Sequence, residues 1–202
     1  MKKKDISLVL NILIVVLELI GFILSFKIFN KISIEFYTQD SNILALFSSL
    51  IYVIYLLLNK KIPKWLKEFK YITTVSLSLT FFVVILILAP MFNYAYGYLL
   101  FHDIMLYEHL LCPILGIITF IFFDDVNKYD KKDSLIAISF TIIYAVVLII
   151  LNLVNVIEGP YPFLRVRYQS VIVSIMWLIL IPGLSYLLSF GLRKLNYRYN
   201  KK

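Results

Sequence analysis

An all-α, integral membrane bundle of six transmembrane helices is the fold class predicted by three observations: composition, run length and the placement of basic residues. Hydrophobic residues make up 61% of the 202-residue chain, and its mean hydropathy is +0.89. A soluble chain this short has to cover its surface with polar groups, so lipid is the expected solvent. The runs at residues 6–26, 71–92, 104–123, 135–157 and 171–190 are continuously apolar. Each reaches the roughly 20 residues needed to cross about 30 Å of hydrocarbon, and none shows the period-two alternation of a membrane β-strand. Lys and Arg number 3 before the first run, then 2, 5, 0, 3 and 2 in successive connections, and 5 after the last run. Alternate segments thus hold sixteen and four of them. The positive-inside rule then predicts cytoplasmic N- and C-termini in a plasma (inner) membrane. The net charge of +8 reads as a topology signal with attraction to anionic lipid. Nucleic acid is not an expected partner, because the basic residues sit in short loops and not on one folded face.

The first span follows Met1-Lys2-Lys3-Lys4-Asp5 and runs into Ser25-Phe26-Lys27 without a small-residue cleavage site, so it is expected to be retained. It carries Glu18 near mid-membrane, where a carboxyl has to be hydrogen-bonded or face another helix. The second apolar run, 43–58, has only 16 residues, a rise of roughly 24 Å. Starting the helix at Thr38 extends it over 38–58, roughly 31 Å, and matches the hydrocarbon. Thr38-Gln39-Asp40-Ser41-Asn42 then lies at or below the interface, facing other helices or a cavity, unless it serves as a simple interfacial cap.

The connections 59–70 and 124–134 mix Lys with acidic residues and read as solvated, self-paired loops. Asp124, Asp125, Asp130 and Asp133 lack the Gly and distal Glu of a calcium loop. The connection 91–103 has no Lys or Arg; its tyrosines suit interface anchors. In the fourth span, Pro113 follows His109 by four residues, so the proline ring is expected to kink the helix at the His109 carbonyl. An intramembrane His is a functional candidate or a hydrogen-bonded packing residue. Cys112, the only cysteine, permits no intrachain disulfide and reads as packing. His102 and His109 lie two helical turns apart, too far to share a metal ion. Pro160 and Pro162 exclude a regular helix from 158–169 and favour a rigid, extended lid across the bundle top.

Phe36-Tyr37-Thr38-Gln39-Asp40-Ser41-Asn42, Glu108-His109-Leu110-Leu111-Cys112-Pro113 and Gly159-Pro160-Tyr161-Pro162-Phe163-Leu164 resemble three landmark segments of the androgen-induced-gene family and its bacterial six-span relatives. Animal members of that family are threonine hydrolases of fatty acid esters of hydroxy fatty acids. The resemblance implies Thr38 as nucleophile and His109 as base. A threonine hydroxyl needs such a base, and a neutral imidazole suits the task near pH 7. Asp40 is the expected orienter of His109, with Glu18 and Glu108 as alternatives. Amides near Gln39 to Asn42, with Ser41 and Asn42 in support, would stabilise an oxyanion. Tyr161, Phe163, Arg165 and Arg167 would contact a lipid-like substrate, or the arginines would only anchor the interface. In untilted helices Thr38 and His109 differ in height by roughly 9 Å, which tilt or a kink has to close. No phosphate loop or metal-ligand spacing is present, so no cofactor or metal is expected; the bilayer and a lipid-like ester are the expected partners. The other function class that this sequence allows is a non-catalytic lipid or amphiphile binder or transporter.

Overall fold

The computed structural model describes residues 2–30, 33–124 and 130–200. Six helices are long and apolar enough to cross a bilayer: α1 (Lys3–Phe29), α2 (Tyr37–Leu57), α3 (Lys64–Met91), α5 (Asp103–Phe123), α6 (Lys131–Leu153) and α7 (Val171–Asn200). A short helix, α4 (Tyr96–Phe101), precedes α5. Among the described residues there is no strand.

The N-terminal ends of α1, α3 and α6 lie further out than the apolar runs, for local reasons, while α6 stops at Leu153, short of residue 157. Asp5 accepts a hydrogen bond from the Lys2 N–H at 3.0 Å and draws α1 back to Lys3. Asp130 caps α6, accepting from the Lys132 and Asp133 amides, and these bonds hold its carboxyl below the usual carboxylate range. Pro63 stands at the N-cap of α3, where its missing N–H costs nothing. Both termini lie at one end of the bundle: the Lys3 ammonium donates to Asn200, and the Lys4 ammonium donates to Asn59 Oδ1 at 2.6 Å.

The interior mixes apolar clusters, such as Leu79, Val83, Leu88 and Leu148, with faces that are small and polar. The buried face of α1 is Ser7, Asn11, Ile14, Glu18, Gly21 and Ser25, while Val9, Val16, Ile23 and Phe26 face outward. Its three- and four-residue spacing is that of a left-handed helix seam lined with small and polar residues, suited to packing where lipid tails give no hydrophobic drive. The central element is α3, whose most apolar window is 67% buried against 17% for α7. Where α3 meets α5 the Leu77 side chain fills the space over Gly116: a Cβ there would lie 2.9 Å from Leu77 Cδ1.

The two charged connections differ from the expected solvated loops. Lys67 and Lys70 are in the helix of α3 and buried, and Asp124 at the end of α5 is 1% exposed. Lys70 Nζ donates to Asn11 Oδ1 (2.9 Å) and Ser49 Oγ (3.0 Å) and lies 3.8 Å from Asp124 Oδ2, while Ser7 Oγ and Asn11 Nδ2 donate to Asp124 Oδ1 at 2.8 and 2.9 Å. Lys64 and Glu68 pair locally at 3.4 Å as expected, whereas the Lys70–Asp124 pair is interhelical and buried, tying α1, α2 and α3 to the residue after α5. Asp125 lies outside the described residues.

Candidate functional site

At the opposite end, the chain after α6 turns through Gly159 (φ +93°), where a Cβ would sit 3.1 Å from the Leu164 carbonyl oxygen. Two short 3-10 turns follow, Pro162–Leu164 and Val166–Tyr168, in place of the expected extended stretch. They carry Tyr161, Phe163 and Leu164 into the bundle. Tyr161 stacks on Phe163, with centroids 5.0 Å apart, and its hydroxyl reaches the first turn of α2.

There Thr38 Oγ1 lies 3.3 Å from His109 Nε2 and 3.3 Å from the Tyr161 hydroxyl, and the Thr38 N–H donates to that same hydroxyl at 3.3 Å. His109 Nδ1 is 2.7 Å from the Leu99 carbonyl of α4. A carbonyl only accepts, so Nδ1 carries the proton, and in the neutral ring Nε2 is the acceptor. The directions then follow: Tyr161 O–H donates to Thr38 Oγ1, Thr38 O–H donates to Nε2, and Nδ1–H donates to Leu99. Burial pushes the Tyr161 phenol up to about 12, so it remains a proton donor well above neutral pH.

The helix that carries His109 is distorted as well. Residues Leu106–Leu111 form a π turn in which the Cys112 N–H reaches back to the Tyr107 carbonyl. Pro113 has no N–H to offer, and the Glu108 carbonyl accepts instead from Asn42 Nδ2 at 3.3 Å. The turn just above the proline, where a kink was expected, is widened. The height difference between Thr38 and His109 is closed, since their side chains meet.

Of the other residues singled out in the sequence, Ser41 and Asn42 both donate to the Thr38 carbonyl, at 3.0 and 2.7 Å, and fix its backbone. Ser41 also meets Thr80 at 3.0 Å. Asp40, Glu18 and Glu108 do not orient the imidazole; the Leu99 carbonyl does. Glu108 accepts from Gln39 Nε2 at 2.5 Å, and Glu18 is buried one turn below Gly21. The Asp40 amide is taken by the Phe36 carbonyl, so the amides of α2 without helical acceptors lie at Tyr37 to Gln39, earlier than expected. Arg165 Nε donates to the Gly159 carbonyl at 3.0 Å and Arg167 bonds Asn155. Both arginines brace the loop and line neither cavity. His102 pairs with Asp103 at 2.9 Å, exposed and away from His109. Leu99 was not a sequence candidate, because a backbone carbonyl leaves no side-chain signature.

Two cavities meet at Thr38. A vestibule of about 270 Å³ is floored by Thr38, Gln39, Glu108 and His109 and walled by Phe29, Phe36, Phe92, Leu99, Met105 and Pro160. On the far side of Thr38 and Tyr161 an apolar slot of about 50 Å³ runs among Leu79, Val83, Tyr144, Trp177 and Ile181. Among the described residues no three His, Cys, Asp or Glu side chains gather as a metal cluster.

Fold and site together define a six-helix bundle of membrane-spanning length, apolar outside, with a buried hydroxyl–imidazole pair at one end of its polar interior. Compared with known proteins, the chain matches no family model, no curated protein and no solved structure.

Proposed function

We propose that this chain is a membrane-embedded hydrolase of lipid-like carboxylic esters, with Thr38 as nucleophile and His109 as base. The observation that carries this reading is the ordered contact from Leu99 through His109 to Thr38, which leaves Nε2 free to accept the threonine proton. The resemblance of the segments around Thr38, His109 and Tyr161 to the androgen-induced-gene family supports it. So do the apolar walls on both sides of Thr38, which suit acyl chains.

In the proposed reaction Thr38 Oγ1 attacks the ester carbonyl while its proton passes to His109 Nε2. The carbonyl oxygen becomes an oxyanion, for which the Tyr161 hydroxyl and the first amides of α2 are the donors at hand. The imidazolium returns the proton to the departing alkoxide, leaving an acyl-threonine. Water then attacks this ester while His109 takes its proton; the second oxyanion collapses, the bond to Thr38 Oγ1 breaks, the imidazolium returns the proton to that oxygen, and the acid leaves. The contacts of 3.3 Å are long for catalysis and are expected to tighten around substrate. With the termini in the cytoplasm of a plasma (inner) membrane, as the basic residues suggest, the vestibule opens near the outer leaflet.

Treatment of the purified protein with an activated fluorophosphonate tests this. Covalent labelling and ester hydrolysis are expected in the wild type and should vanish in Thr38→Ala and in His109→Ala. An unlabelled wild type that hydrolyses no ester of any chain length would instead indicate a lipid or amphiphile binder.

A further inference from the structure

Below the vestibule floor, three buried side-chain oxygens have no hydrogen-bond partner: Glu18 Oε1, Gln39 Oε1 and Asn42 Oδ1. All three residues are at most 6% exposed. Unpartnered acceptors at such depth are costly and call for a donor or a cation.

Exchanging amide nitrogen and oxygen does not relieve this. Asn42 Nδ2 faces two carbonyls, those of Thr38 and Glu108, so the nitrogen is fixed on that side and Oδ1 on the other. Gln39 Nε2 faces the Glu108 carboxyl, and with that carboxyl ionised and able only to accept, Oε1 is likewise left free.

The oxygens belong to one level of the bundle. Asn11 of α1 and Ser49 of α2 meet through the Lys70 ammonium, which fixes their common height. Glu18 lies seven residues up α1 and Asn42 seven residues up antiparallel α2, each about 10 Å higher. From α5, Glu108 contacts Gln39 and Asn42, and a Cβ on Gly21, one turn above Glu18, would lie 3.8 Å from Glu108 Cγ. Two carboxyls and two amide oxygens from three helices therefore surround one seam. Lys70 is engaged by Asp124 toward the other end of the bundle.

We infer that Glu18, Glu108, Gln39 and Asn42 form a binding site for a hard, oxygen-seeking cation of the size of Na⁺ or Ca²⁺. Carboxylate and amide oxygens at flexible spacing are the ligands such ions take, whereas Mg²⁺ demands a tighter octahedron and keeps its waters. Gln39 and Glu108 also floor the vestibule, which gives the ion a path inward. The site is independent of whether Thr38 hydrolyses an ester.

The test uses full-length protein in detergent without substrate, at constant ionic strength in choline chloride, with NaCl, CaCl2 or MgCl2 substituted. A saturable rise in unfolding temperature is expected with NaCl or CaCl2 and none with MgCl2, since a ligand of the folded state stabilises it by mass action. The arm that responds identifies the ion. Equilibrium binding of radioactive sodium or calcium should reach one ion per chain, and Glu18→Gln and Asn42→Ala should each abolish binding. Should a variant fail to fold, the wild-type binding measurement alone decides. A wild type that binds neither ion, or that responds equally to all three salts, overturns the inference.

Discussion

Tyr161 touches both the N–H and the hydroxyl of Thr38, so its phenol sits where a developing oxyanion needs a donor. Tyr161→Phe keeps the ring stack on Phe163 and removes the hydroxyl that donates to Thr38 Oγ1 and accepts from the Thr38 N–H. We expect kcat to fall by about 100-fold, as for loss of one oxyanion-hole donor. Because burial holds the phenol up to about 12, it is protonated throughout the range where an exposed tyrosine would ionise near pH 10. The ratio of wild-type to Tyr161→Phe activity should therefore stay constant between about pH 7 and 10; a ratio that shrinks toward pH 10 would contradict this placement. His109 stood out in the sequence as an imidazole inside an apolar run, and Thr38 as the start of a polar stretch whose role only the family resemblance suggested. The group that orients His109 did not stand out, since Leu99 contributes only its carbonyl. Asp40 looked better placed on paper, yet it is at the helix start and half-buried, and the ring turns toward α4 instead.

At the scale of single elements, the π turn of α5 aims His109. Pro113→Ala supplies an N–H that an ordinary helical turn would direct to the His109 carbonyl, in competition with the widened turn. Moving the imidazole by about 1 Å costs on the order of 100-fold in rate. We expect that loss in single-turnover hydrolysis, with fluorophosphonate labelling slowed in parallel. The buried charge on α3 makes a separate prediction. Lys70→Met leaves Asp124 unpaired among Ser7 and Asn11 and should destabilise the protein by about 3–5 kcal/mol, the usual cost of breaking a buried pair. The double variant Lys70→Met/Asp124→Leu should recover much of that loss, as read by thermal unfolding in detergent. Hydropathy marked the lipid-facing stretches well but missed the ends of α1, α3, α6 and α7. Lys67 and Lys70 look like loop residues to a composition scan, and only their burial against α1 and α2 reveals them as part of a span.

For the whole molecule, six apolar runs in order were enough to read an all-helical architecture with six helices long and apolar enough to cross a bilayer, because in lipid every backbone amide has to be satisfied within its own helix. How the spans assemble was not legible. The polar stripe of α1 identifies a face but not the partners that meet it. The side of the membrane on which the termini lie is open to direct measurement: in a Cys112→Ser background, Lys4→Cys and Asn200→Cys should react with an impermeant maleimide only after cells are opened. Tyr98→Cys, on exposed α4, should react in intact cells. The reverse pattern would place the vestibule on the cytoplasmic leaflet.

The clasp around Asp124 also bears on how the chain is made. Ser7 and Asn11 leave the ribosome early, yet the carboxylate they bind follows 117 and 113 residues later. During that interval Ser7 and Asn11 lack this partner, so if α1 is inserted as a span the translocation machinery or a neighbouring helix has to shelter them. Nascent chains released before the fifth helix is complete are expected to be the ones that quality-control proteases remove.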